Sequence, residues 1–439
     1  MNHLASTEQQ LTDLALPRRH EIDALRSIAL VLLIVYHVFV AFQPFASWIM
    51  FIGSSESLQS AWFLGELFNS WRIPVLFLMS GITAGYLVQN RPVGTLVSGR
   101  LVRLVPPLLV TCVLIAPVTP ALFQVFDGEP VRYMPNPGHL WFVWNLVVYM
   151  VFAAPVFLYL RYRPGNLVMR WFSRLSPYTW VVVLPVVLMI VTTLLEPHIS
   201  VDNFSVHFLR FWNGFACFVA GAVLVSLGDR FWWGIRRVCH VSLPVALALY
   251  LMRMAEVGLG SEFAELAART AESTSGMLAF LGYGSLAFAR PSRVFGVLNR
   301  AVFAVYIVHM PVQQAVSLAL VPAEMNAWVD FGVRVVLTIA LSALIYAVVL
   351  RPVRWVHPFF GIAPLRSAPP ATGRAPGAAR LKRPWPVRIG RVAALYLVTP
   401  VLALGAVAIH VWPGIPGSRD TDDSMHPEAL DPEDGGRDP

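Results

Sequence analysis

RHEIDALRSIALVLLIVYHVF, residues 19–39, decides the fold. The apolar run it belongs to extends from Ile22 to Phe42, long enough to cross a bilayer as one helix. Within that run stand an arginine and a histidine, Arg26 and His37, eleven residues apart. On an α-helix eleven residues make about three turns, so both side chains leave nearly the same face, separated by roughly 16 Å along the axis. Membrane segments rarely carry such groups without a use. Arginine stays charged and suits phosphate or carboxylate, and histidine moves protons near neutral pH. The pair points to group transfer within a membrane.

Composition extends this reading to the whole chain. The 439 residues are 56% hydrophobic and 13% charged, with a mean hydropathy of +0.62, more apolar surface than one soluble core can bury. Repeated apolar runs of spanning length predict an all-α multi-pass membrane protein set in the lipid bilayer. Cys112, Cys217 and Cys239 lack zinc spacing or pairing and read as small apolar residues, with no disulfide, no metal site and no permanently bound cofactor indicated. The net charge of +8 is distributed along helix ends, which argues against a nucleic-acid partner. The first twenty residues lack a cleavage signature, so the first helix reads as retained.

Spans are predicted at 22–43, 62–88, 101–125, 139–160, 178–195, 208–227, 238–252, 272–289, 301–321, 329–350 and 391–412. With the N-terminus cytoplasmic, most of the 33 Lys and Arg fall on the inside. They lie in RPVGTLVSGRLVR (91–103), RYRPGNLVMRWFSR (161–174), GDRFWWGIRR (228–237) and ARPSRVFGVLNR (289–300). The positive-inside rule selects that orientation, with the C-terminus outside. The amphipathic stretch SEFAELAARTAES (261–273) has the pattern of an interfacial segment after a Pro244-interrupted seventh span. Five regions follow: a cytoplasmic segment 1–21, a membrane domain 22–354 of ten helices, a Pro/Arg-rich cytoplasmic linker 355–390, an additional helix 391–412, and an acidic tail 413–439 of disordered composition. No internal repeat is visible.

Arg26 has a second reading, because Asp23 one turn earlier is placed to pair with it near the interface. His37 lies deeper, where a purely structural imidazole needs a polar partner that Tyr36 and Val38 do not supply. The arginine, ten residues, histidine arrangement preceded by an acidic residue resembles the first helix of the acyltransferase-3 family of integral membrane acyltransferases. Other segments match in order. WRIPVLFLMSGITAGYLV (71–88) is similar to the family's second helix, SGRLVRLVPP (98–107) to the basic start of the third, GHLWFVWNL (138–146) to the start of the fourth, and LNRAVFAVYIVHMP (298–311) to the ninth with its late His-Pro-like element. HPFFGIAP (357–364) resembles the subgroup, glucan biosynthesis protein C-like, that decorates periplasmic glucans with succinyl groups. Ser27 stands where relatives often have Gly or Ala, and Met310 separates His309 from Pro311.

What the resemblance implies is a bacterial-type inner-membrane O-acyltransferase that moves an acyl group from cytoplasmic acyl-CoA to a hydroxyl of an extracytoplasmic carbohydrate, such as a cell-envelope glycan. His37 is then the general base, and Arg26 holds donor phosphate or stabilises developing negative charge. Arg100 and Arg103, three apart at the cytoplasmic start of a helix, are placed to clamp the phosphates of acyl-CoA or simply to signal topology. Arg72, His139, Arg210 and His309 are candidates for contact with substrate, each with a structural alternative: Arg72 beside Glu66, His139 as an interfacial cap, Arg210 by snorkelling, His309 as a core histidine. Ser80 lacks a nucleophile's frame and reads as a packing residue beside Gly81, and the lone GYG at Gly282 carries no phosphate-loop signal. A transporter of an anion or acylated product is the alternative class, disfavoured by the lack of an inverted repeat. A noncatalytic membrane sensor or scaffold is a third. Oligomeric state is not legible.

Overall fold

The computed structural model describes residues 19–90, 92–163, 167–195 and 205–362. The predicted helix 391–412 and tail 413–439 lie outside the described residues. Among the described residues the regular secondary structure is all helical, with no strand. In chain order the helices are α1 (His20–Val40), α2 (Trp62–Asn90), α3 (Val93–Val110), α4 (Val118–Asp127), α5 (Trp141–Phe152), α6 (Ala154–Tyr162), α7 (Leu167–Arg174), α8 (Trp180–Leu195), α9 (Ser205–Val225), α10 (Asp229–Met254), α11 (Glu262–Ala287), α12 (Arg293–Leu320) and α13 (Ala327–Ile345). Among the described residues six helical stretches are long and apolar enough to cross a membrane, and a seventh arises if the bent pair Gly138–Phe152 and Ala154–Tyr162 counts as one span. The protein is thus an all-α multi-pass membrane protein.

Proline sets the irregularities. Pro106 and Pro107 withhold two amide donors from α3, which runs into a π-helical turn at Thr111–Ile115 before α4. Pro155 opens α6, where its ring conflicts with the carbonyl of Val151 one turn back, and α5 and α6 meet at 49°. The predicted span 139–160 is therefore two helices.

Several helices begin earlier than their apolar cores. α3, α10 and α12 start at Val93, Asp229 and Arg293, inside the basic stretches expected to be loops. Leu, Val and Arg are good or adequate helix formers, and an arginine at a membrane face costs nothing as long as its head reaches water. The segment 261–273 is likewise the first part of α11 and not a separate interfacial helix. Ser261 caps it by accepting from the Ala264 amide, and Glu262 and Glu265 in the first turn complement the helix dipole.

α1 sits at the centre, packed against α2, α11, α12 and α13. The most extensive helix pairs are α10 with α11, and α2 with α9. Small residues allow the second of these. A Cβ on Gly81 would meet the Phe218 carbonyl oxygen at 1.9 Å, and one on Gly221 would meet the Leu78 carbonyl oxygen at 2.2 Å, so the two backbones touch through paired glycines. In lipid, where apolar contact with neighbours brings no advantage over contact with acyl tails, such close approach supplies much of the association. Ser80 turns its hydroxyl back to the Leu76 carbonyl at 2.9 Å, in keeping with a packing residue. Cys112, Cys217 and Cys239 are free thiols.

Between α1 and α2 the chain folds back over the end of α1. Ser54 N donates to the Ala41 carbonyl and Leu58 N to the Phe42 carbonyl, at 3.2 and 2.9 Å. This 41–61 segment is tied to α12 and α13 by buried polar groups. Gln314 accepts from the Ile52 amide at 3.0 Å and donates to the Met50 carbonyl at 2.6 Å. Asp330 accepts from Arg334 Nε and from Ser54 Oγ, both at 2.8 Å, while Arg334 also donates to the Ile52 carbonyl at 3.3 Å.

Candidate active site

Three histidines predicted separately meet beneath this segment. His37, in the last turn of α1, places Nδ1 3.0 Å from His309 Nε2 of α12, and the two rings stack with centroids 5.3 Å apart and 14° between planes. His139, on the turn preceding α5, stands edge-on to His309 at a centroid distance of 4.9 Å. Its Nε2 reaches the Tyr306 carbonyl at 2.9 Å, and the Tyr306 hydroxyl donates to the His139 carbonyl. The pair His139–Tyr306 therefore braces α5 against α12 with two bonds running in opposite directions.

The Tyr306 carbonyl also receives His309 Nδ1 at 2.7 Å. Pro311 has no amide to give the Ile307 carbonyl, and His139 lies against the carbonyls of Tyr306 and Ile307. The Tyr306 carbonyl thus serves as the acceptor for two imidazoles, those of His139 and His309.

That site dictates tautomers. A carbonyl only accepts, so His309 bears its proton on Nδ1, and in the neutral ring Nε2 carries the lone pair. His37 Nδ1, facing that lone pair, must be the donor. The lone pair of neutral His37 is then on Nε2, the nitrogen turned away from His309. The order carbonyl, imidazole, imidazole reproduces the logic of a base oriented by a hydrogen-bonded partner. Gln313 completes the support by donating to the His37 carbonyl at 2.9 Å. His37 is half-buried, whereas His309 is fully buried and His139 nearly so. The rings hydrogen-bond to one another or to carbonyls and do not converge on a shared point, and no cluster of metal-holding geometry occurs among the described residues.

Arg26 is not part of this cluster. It lies three turns away toward the start of α1, where its Nη2 donates to Thr83 Oγ1 at 2.9 Å. Thr83 spends its own proton on the Met79 carbonyl, which leaves its oxygen to accept. Asp23 is close enough for its charge to act on Arg26, and its Oδ1 accepts from Asn299 of α12 at 2.9 Å. Arg72 comes instead to the histidine level. It is 2% exposed, its guanidinium lies 3.6 Å above the Tyr36 ring, and its charge acts on the His37 imidazole. The suggested pairing of Arg72 with Glu66 does not occur, because Glu66 bonds Arg253 at 2.6 Å and Asn69 at 2.9 Å. Arg100 is half-buried and Arg103 exposed near the start of α3, apart from the histidines. Arg210 lies in α9, and its side chain is outside the described residues.

Residues 19–347 match the acyltransferase-3 family, an acyltransferase domain, and so take in the histidine cluster, Arg26, Arg72, Arg100, Arg103 and the Asp330–Arg334 pair. The chain belongs to the acyltransferase-3 family. It is a membrane acyltransferase that transfers groups other than aminoacyl groups. No curated protein and no solved structure matches it.

For an acyltransferase-3 protein the cluster makes a specific demand on His309. His309→Leu removes the acceptor that holds the His37 Nδ1 proton, and transfer is expected to fall by about 10²-fold, within the range general-base catalysis supplies. His309→Gln offers one donor and one acceptor in the same order and should keep part of the activity. Initial transfer rates at matched amounts of folded protein decide this. Equal loss in both variants would leave His309 a packing residue.

Proposed function

We propose that this protein is an O-acyltransferase of a bacterial inner membrane, taking acyl groups from cytoplasmic acyl-CoA and esterifying a hydroxyl of an extracytoplasmic carbohydrate such as a cell-envelope glycan. The observation that carries the reading is the run of contacts from the Tyr306 carbonyl through His309 to His37, whose hydrogen-bond logic leaves Nε2 of the half-buried His37 as the proton acceptor. The acceptor hydroxyl gives its proton to Nε2 as its oxygen attacks the thioester carbonyl carbon. Collapse of the tetrahedral intermediate breaks the carbon–sulfur bond, and the leaving thiolate takes the proton back from Nε2–H. The products are an ester and free CoA, with His37 restored.

Position along α1 supports the division of labour. With the N-terminus cytoplasmic, as the charge distribution favours, Arg26 lies toward the donor side and His37 toward the acceptor side. Arg100 and Arg103, at the basic start of α3, would meet the CoA phosphates first. The Asp23–Asn299 bond and the Arg19–Asp229 ion pair at 3.1 Å tie the same end of α1 to α12 and α10, so the donor end is braced.

Replacing both Arg100 and Arg103 with Gln tests the donor assignment. The double variant is expected to bind CoA at least tenfold more weakly than the wild type in a detergent-solution isotherm, because charge-assisted phosphate contacts act on the donor alone. An isotherm superimposable on the wild type would remove the phosphate site from α3 and leave those arginines as topology signals.

A further inference from the structure

α1 and α2 run antiparallel, and their polar contacts fix the register. Arg26 of α1 bonds Thr83 of α2, and ten residues further along α1, Tyr36 carries Arg72, eleven residues back along α2. The two contacts are rungs of one ladder, and each rung holds a guanidinium, one contributed by each helix. They are separated by about three helical turns, or roughly 15 Å. One cation therefore stands at the level of Thr83 and another at the level of the histidines.

This spacing bears on which arginine can meet the reacting carbonyl. An acyl carbon attacked by a hydroxyl that hydrogen-bonds His37 Nε2 must lie within a few ångströms of that nitrogen, and Arg26 is about three turns too far away to reach its oxygen. Resting on the reading of His37 as the base, we infer that Arg72 is a catalytic residue that binds the thioester carbonyl oxygen and stabilises the oxyanion of the tetrahedral intermediate, while Arg26 acts on the remote, phosphate-bearing part of the donor. The pantetheine arm of CoA separates the phosphates from the thioester by a distance of the same order as the separation of the two rungs.

The setting of Arg72 suits that role. The side chain is buried in the membrane domain, where a fixed positive charge acts on a developing anion more strongly than it would in water. Tyr36 meets the face of the guanidinium, and hydrogen bonds to an oxyanion engage its edge, so the two interactions are geometrically compatible. Tyr36 is also the neighbour of His37 on α1, with ring centroids 6.4 Å apart, so one turn of backbone registers the base against the cation. In the step itself the carbonyl π-electrons move onto oxygen as the new carbon–oxygen bond forms, Arg72 holds that charge, and the electrons return when the thiolate leaves. Arg72 neither gains nor loses a proton.

The test compares Arg72→Lys, Arg72→Met and His37→Ala in full-length protein. Two quantities are read at matched amounts of folded protein: the initial rate of ester accumulation on envelope glycan after induction in cells, and the Kd for CoA itself in detergent. Arg72→Met should lose about 10²- to 10³-fold in rate, the usual effect of deleting an oxyanion donor. Arg72→Lys, which keeps the charge, should recover at least tenfold of that loss, and both should bind CoA within twofold of wild type. Arg72→Lys serves also as the folded control if Arg72→Met does not insert. Wild-type rates in Arg72→Lys and Arg72→Met alongside an inactive His37→Ala would overturn the oxyanion role and spare the base. An active His37→Ala would overturn the base reading itself. A tenfold or greater loss of CoA binding in Arg72→Lys would move Arg72 to the donor phosphates and also refute the proposal.

Discussion

His37→Ala is expected to insert, fold and bind CoA as the wild type does, yet to lose acyl transfer by about 10²–10⁴-fold. The loss follows from the geometry and from no general fragility of the site. His37 is only half-buried and its backbone carbonyl, held by Gln313, survives the substitution. Removal of the ring deletes the lone pair on Nε2 and frees His309 Nε2, but the Tyr306–His139 brace between α12 and α5 stays intact. His37→Gln should be as inactive as His37→Ala, since an amide hydrogen-bonds without accepting a proton at working pH. The measurement is initial transfer rate against CoA affinity on the same preparations. Turnover within twofold of wild type in either variant would dismiss His37 as the base.

The second large effect concerns stability. Asp330→Ala is expected to cost about 3–5 kcal/mol, because it leaves the Arg334 guanidinium buried without its carboxylate. Arg334 is 1% exposed, so water cannot replace the lost partner, and its remaining contacts are the Ile52 carbonyl and the Phe42 ring 5.1 Å away. The same substitution releases Ser54, so the 41–61 segment loses an anchor over the histidines. Chemical denaturation in detergent micelles should show the shift. Asp330→Leu combined with Arg334→Met removes both charges and should recover most of the loss, which separates the cost of an orphaned charge from the value of the pair. A single variant as stable as the wild type would mean that the pair is screened and that the segment is held by other bonds.

The membrane class, the helical fold and the positions of the apolar cores follow from runs of spanning length, which only helices or closed barrels satisfy in lipid. Arg26 and His37 stood out as candidates because a charged or titratable group in such a run is costly. Helix starts were not legible, since Val93, Asp229 and Arg293 extend helices into basic stretches that hydropathy reads as loops. Local charge proximity told only part of the arrangement: Asp23 acts on Arg26 by charge but also bonds Asn299 of α12, and Glu66 is held by Arg253 of α10. His139 and His309 were visible as isolated candidates, whereas their meeting with His37 depends on which helices pack together, a property no local pattern encodes. The same holds for Gln313 and Gln314, ordinary polar residues until α12 lies against α1. Asp330 and Arg334 carried an available signal that went unread, opposite charges four apart in an apolar helix.

The central claim, ester formation on an envelope glycan through the His37 cluster, is tested most directly by the glycan itself. Envelope glycans from cells producing the wild type, cells producing equal amounts of His37→Ala, and cells lacking the protein should be compared by mass before and after mild alkali. The account predicts alkali-labile acyl increments in the first sample and their absence from the other two. Identical acyl content in all three would contradict it.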